Sequence, residues 1–101
     1  MKLEVEFFKA LYLRARLSYS ECVLNPDNDY LQDEIDTPID EIILKEDAIC
    51  LQFSEHEIDR FTVEVKLQLT SADNHLIGNY FYYEDEKEIP LDDRLIFDYP
   101  L

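Results

Sequence analysis

The chain has one glycine, Gly78, in 101 residues. A phosphate-cradling loop needs several glycines close together, so nucleotide chemistry of that kind is excluded. Tight two-residue hairpins, which need positive φ, should be rare for the same reason. Cysteine is nearly as scarce. Cys22 and Cys50 lack CxxC spacing and histidine neighbours, which removes the usual zinc and thioredoxin-like chemistries, and both are expected to be reduced. Cys50, within Ala48-Ile49-Cys50-Leu51-Gln52-Phe53, reads as a small buried thiol. The only histidines, His56 and His75, stand in polar connections with no Cys or Ser arrangement that would activate a nucleophile. Carboxylate pairs are so common that none singles itself out for acid/base work. The expectation is therefore a protein that is not an enzyme, with no catalytic residue, metal or cofactor. No apolar run approaches the roughly 18 residues of a spanning helix. Charges in Met1-Lys2-Leu3-Glu4-Val5-Glu6 occupy the place where a signal peptide carries its apolar stretch. A cytoplasmic protein is the simplest expectation.

Basic residues are the other shortage. Nine Lys and Arg face 24 Asp and Glu, a formal net charge of −15. Such a field repels phosphate and opposes direct nucleic-acid binding, which needs clustered Lys and Arg. It steers the chain toward cationic surfaces instead. With 47% hydrophobic and 13% aromatic residues, the sequence is too apolar for an acidic disordered tail. It reads as one acidic domain over residues 1–101 with a modest core.

Period two dominates the hydrophobic pattern. Leu3, Val5 and Phe7 alternate with charged residues, and Leu11, Leu13, Ala15, Leu17 and Tyr19 resume the same parity, as in strands with one face buried. Glu6 to Leu17 also holds good helix formers, with Phe8, Leu11, Tyr12, Ala15 and Tyr19 at helical spacing, so strand and helix compete there. Asn25-Pro26-Asp27-Asn28-Asp29 marks a turn-rich loop in which Tyr30 to Ile35 has room for one helical turn before Thr37-Pro38. A hairpin comes next, with Glu41 to Leu44 and Ile49 to Phe53 flanking the polar Lys45-Glu46-Asp47. Phe61 to Thr70 is the clearest strand. Ser71 to Asn74 turns the chain, and Leu76 to Tyr83 runs back. An acidic connection from Glu84 to Asp93 carries Pro90, and Leu95, Phe97 and Tyr99 make a last strand. The predicted fold is all-β, or β-rich with one short helix: six to seven antiparallel strands in a β-sandwich or strongly curved sheet.

Two acidic segments are candidate partner surfaces. Between Arg16 and Lys45 there is no cation, so carboxylates from Glu21 onward lack local partners; Tyr30, Asp33, Glu34, Asp36, Asp40 and Glu41 are the candidates there. In the second, Tyr80 and Tyr82 precede Glu84, Asp85, Glu86 and Glu88. Tyrosine offers rigid contact area with a polar tip, and carboxylates beside it accept bidentate bonds from arginine. Asp27, Asn28, Asp29, Asp33 and Glu34 are oxygen ligands at close spacing, but the glycine and terminal glutamate of a calcium loop are missing.

In size, acidity and absence of catalytic motifs the chain resembles the immunity proteins of bacterial polymorphic toxin systems, including contact-dependent growth inhibition. The resemblance implies an antitoxin that binds a basic cognate toxin, often a nuclease, and blocks its active site or its access to substrate. The alternatives are a nucleic-acid mimic of the anti-restriction or anti-CRISPR type and an acidic adaptor or structural subunit.

Overall fold

The computed structural model describes residues 5–53 and 60–98. Helix α1 spans Val5–Leu24, and two short 3-10 segments lie beyond it at Pro26–Glu34 and Ile39–Glu41. Strands β1 (Ile43–Phe53), β2 (Phe61–Thr70), β3 (Leu76–Asp85) and β4 (Pro90–Phe97) then form one antiparallel sheet in the order β1-β2-β3-β4. This is a mixed α/β fold, and it overturns the six to seven strands and the sandwich. The layer that covers the sheet is α1.

The larger part of the error lies in α1 and has a clear cause. Leu11, Ala15 and Tyr19 belong to both periods, since an i, i+4, i+8 series is a subset of an alternating one. The structure buries these three against the sheet and leaves Leu13 and Leu17 at 58% and 57% exposure. The two leucines that made the pattern look like a strand are thus the solvated ones. Leu, Ala, Arg and Lys favour the helix, and only Val5 and Val23 in it are β-branched. Asn28 Nδ2 donates to the Cys22 carbonyl at 2.8 Å, satisfying a C-terminal acceptor of α1. Asn25 then caps the first 3-10 segment, its Oδ1 accepting from Asp27 N at 3.0 Å with Pro26 in the opening position. The helical turn expected from Tyr30 to Ile35 is present and starts earlier.

Lys45-Glu46-Asp47 is a bulge and not a turn. The β1–β2 register slips between Glu46 and Ala48, so β1 continues through it. One extra residue flips the parity of the strand beyond the bulge, which is why Leu44 and then Ile49 and Leu51 all pack against the core. The same register sets Cys50 opposite Glu64 on the face away from α1, where its thiol is exposed rather than buried. Phe61 to Thr70, the Ser71 to Asn74 turn and the return through Tyr83 match the expectation. The connection after Glu84 is shorter than expected, because β3 runs to Asp85 and β4 begins at Pro90. Leu3, His56 and Tyr99 lie outside the described residues.

Gly78 marks a close approach. A Cβ there would sit 2.2 Å from the Ile96 carbonyl oxygen and 2.9 Å from the Phe97 Cα, both backbone atoms of β4. With the one glycine used for this contact, the two hairpins place Asn74 and Glu88 at φ 66°. No helix among the described residues is long and apolar enough to cross a membrane.

Candidate partner-binding surface

Two polar networks tie α1 to the sheet. Beside the buried ridge of the helix, Arg14 reaches the Glu84 carboxylate with two bonds, Nη2 to Oε1 at 2.6 Å and Nε to Oε2 at 2.9 Å. The Tyr82 hydroxyl donates to Oε2 at 2.8 Å. Glu84 is 1% exposed, so its charge stands in the core only because three donors meet it. The bonds to Glu84 hold the Arg14 guanidinium above its usual pKa. Burial, helped by Glu84, pushes the Tyr82 hydroxyl up to about 12.

One turn further along α1, Ser18 Oγ lies 2.6 Å from the Tyr80 hydroxyl, which donates to Asp93 Oδ2 at 2.7 Å. A carboxylate only accepts, so the Tyr80 O–H donates to Asp93 and the Ser18 hydroxyl donates to the Tyr80 oxygen. This relay runs from α1 across β3 to β4. Burial is the main reason that Tyr80 resists ionisation, with the Asp93 contact adding to it.

Above these networks a groove runs between α1 and β4. It consists of two depressions of about 370 and 250 Å³ that share Ser18, Glu21, Tyr82 and Pro90. Leu17 and Leu91 add apolar lining, while Glu21, Glu88, Asp92 and Asp93 line it with carboxylates. Arg14 is the cation among the lining residues, and Glu84 already holds it at 2.6 Å. The groove is therefore a net acceptor of positive charge.

The twelve residues expected from sequence are not brought together. Tyr80 and Tyr82 are 0% and 3% exposed and, with Glu84, face α1, so none of the three offers an open contact surface. The reason is the register: Tyr80, Tyr82 and Glu84 pair with Leu67, Val65 and Val63, the buried row of β2. Asp85 closes the β3–β4 hairpin by accepting from the Lys87 and Ile89 backbone amides at 2.8 and 2.9 Å. Glu86 lies beside Arg60 and Phe61 at the start of β2, and Glu88 lines the groove.

The first set sits at the opposite end of the sheet. Glu34 and Asp36 line a separate depression of about 460 Å³ with Ile77 and Asp98. Tyr30, Asp33, Asp40 and Glu41 are exposed around the 3-10 segments. Gln32 braces this loop, donating to the Thr37 carbonyl and accepting from Ile39 N at 2.9 and 2.8 Å. Ile77 and Glu84 are about 23 Å apart along β3 at the usual rise, so one small interface does not span both clusters.

Sequence reasoning missed Glu21 as a groove residue; it grouped Asp92 and Asp93 with the second acidic cluster but did not name them as candidate contact residues. Helical spacing was the signal for Glu21, because Leu17 and Glu21 are one i, i+4 step apart on α1. No family model, curated protein or solved structure matches the chain.

Proposed function

We propose that the chain is a binding protein for a basic partner, acting as an immunity protein that neutralises a cationic toxin. The supporting observation is the groove between α1 and β4, in which four carboxylates, Glu21, Glu88, Asp92 and Asp93, face one lining cation, Arg14, which Glu84 holds at 2.6 Å and which lies 3.9 Å from Glu88. Carboxylates beside an apolar strip suit Lys and Arg, whose stems pack on Leu17 and Leu91 while their charged heads meet Glu21 and Glu88. The overall charge adds long-range steering, which acts on the association rate more than on the lifetime of the complex. A toxin whose cationic substrate-binding surface is occupied in this way loses access to a polyanionic substrate.

The test is stopped-flow association with the protein that co-purifies with the chain from its own cells, at about 0.01 M and about 0.15 M salt. Screening shortens the Debye length from about 30 Å to about 8 Å across that range, so association should slow steeply while dissociation changes little. Reversing Glu21, Glu88 and Asp92 to Lys should slow association and abolish protection in a survival assay. Reversing Asp33, Glu34, Asp36 and Asp40 should weaken only the salt-dependent part. If both variants associate and protect like the parent, acidity is a solubility device and the adaptor reading replaces this one.

A further inference from the structure

We infer that the basic partner is engaged by strand addition, an extended cationic segment pairing with the outer edge of β4; this rests on the proposed function. In an antiparallel ladder, successive residues bond alternately to one neighbour and away from it. Asp98 N donates to the Ile77 carbonyl at 2.8 Å, so Asp98 bonds inward to β3. Tracing the register back, Ile96 and Arg94 bond inward as well, while Phe97, Leu95 and Asp93 turn their backbone groups outward; Asp93 N already donates to Asp92 Oδ1 at 2.8 Å, which leaves the N–H groups of Leu95 and Phe97 for an added strand. Among the described residues no strand lies beyond β4.

Charge chooses between the two edges. The outer edge of β1 is blocked in its first half by the slip at Glu46/Ala48 and by Arg16, whose Nη1 donates to the Leu44 carbonyl at 3.5 Å. Its second half, Ala48 to Phe53, has no charged residue and so nothing to draw a cation. The β4 edge adjoins the acidic groove, and Asp92 and Asp93 belong to both. A strand laid along β4 gains main-chain hydrogen bonds at Leu95 and Phe97 and at the Asp93 carbonyl. Its alternate side chains on the helix side then fall into the groove. A Lys or Arg opposite Asp93 meets carboxylates there, and an apolar residue opposite Leu95 extends the core. A second copy of this chain is disfavoured as the occupant by its own charge of −15.

The probe is a synthetic peptide of alternating lysine and valine, with two analogues N-methylated on one or the other alternate set of residues. Binding is measured at about 0.01 M salt by amide exchange and chemical shift in the full chain. The parent peptide should bind and slow exchange at Leu95 and Phe97. One analogue should bind about tenfold or more weakly and the other within about threefold, because only one set of peptide amides faces β4. A peptide that binds but tolerates both methylation patterns overturns strand addition while leaving the basic-partner reading intact. A peptide that fails to bind at low salt overturns both. Protection of these two amides that rises with protein concentration without peptide assigns the edge to a second copy and overturns the inference.

Discussion

Arg14 and Glu84 are not equivalent members of their pair, and a double-mutant cycle should expose the difference. The Glu84 side chain is almost wholly buried, whereas about a quarter of Arg14 reaches solvent. Arg14→Met strips the carboxylate of both guanidinium bonds and leaves it with the Tyr82 hydroxyl, an uncompensated buried charge. Breaking a buried pair from that side costs about 3–5 kcal/mol. Glu84→Gln keeps the shape and removes the charge, while Arg14 retains a route to water. That variant should lose about 2 kcal/mol, near the cost of one or two unmade hydrogen bonds. In the double variant the neutral amide no longer needs a counter-ion, so the loss should be about 3 kcal/mol against a sum of about 6, a coupling at the upper end of what neighbouring groups show. Urea titrations give the values, read by circular dichroism and by tyrosine emission, which is unmasked because the chain has no tryptophan. Losses that add within about 0.5 kcal/mol, or a Glu84→Gln cost above that of Arg14→Met, would refute the asymmetry.

Leu11→Ala should cost about 2–5 kcal/mol because Leu11 is fully buried, and Leu13→Ala about 0.5 kcal/mol or less; equal costs in urea melts would restore the strand alternation. Glu88 sits at φ 66°, so Glu88→Gly relieves about 1–2 kcal/mol of backbone strain against about 0.5–1 kcal/mol of added chain entropy. That variant should melt slightly higher and associate more slowly with the basic partner, and a lower midpoint would count against the turn geometry. Tyr19 and Tyr82 are both held up at about 12 from an ordinary 10, chiefly by burial. Their stabilising effect is complete below pH 10 and is lost as pH rises through 12, since the unfolded chain gives up those protons first. Phenolate absorbance should show them ionising only as the fold melts, and ionisation ahead of unfolding would place them at the surface.

The sheet was legible where one parity was unambiguous. Thr62, Glu64, Lys66 and Gln68 alternate cleanly with Val63, Val65, Leu67 and Leu69, and no helical series fits them. It was illegible where periods overlap, as in α1, and where a parity flip from the bulge at Asp47 imitated a turn. The groove stayed hidden for a different reason. Glu21 and Asp93 are far apart in the chain and line one depression because the core under Leu11, Ala15 and Tyr19, together with the Ser18–Tyr80–Asp93 relay, holds α1 against the sheet. Tyr80 and Tyr82 were misplaced because aromatic residues before an acidic run look like a contact surface, and only the pairing with Val65 and Leu67 shows them to be core.

The uncharged half of β1 has a consequence of its own. Ala48 to Phe53 is an apolar edge of the kind that natural sheets break with a lysine, a proline or a bulge, and the bulge here protects only the part before it. Among the described residues no other element covers that edge, so the net charge of −15 is the force that opposes its pairing with the edge of a second molecule. That restraint depends on acidity and salt, and it vanishes near the isoelectric point of about 4.2. The carboxylates that draw a cationic partner to β4 thus also act as a colloidal guard for β1. A partner that neutralises them would need either to shield β1 itself or to leave the complex open to sheet-to-sheet growth.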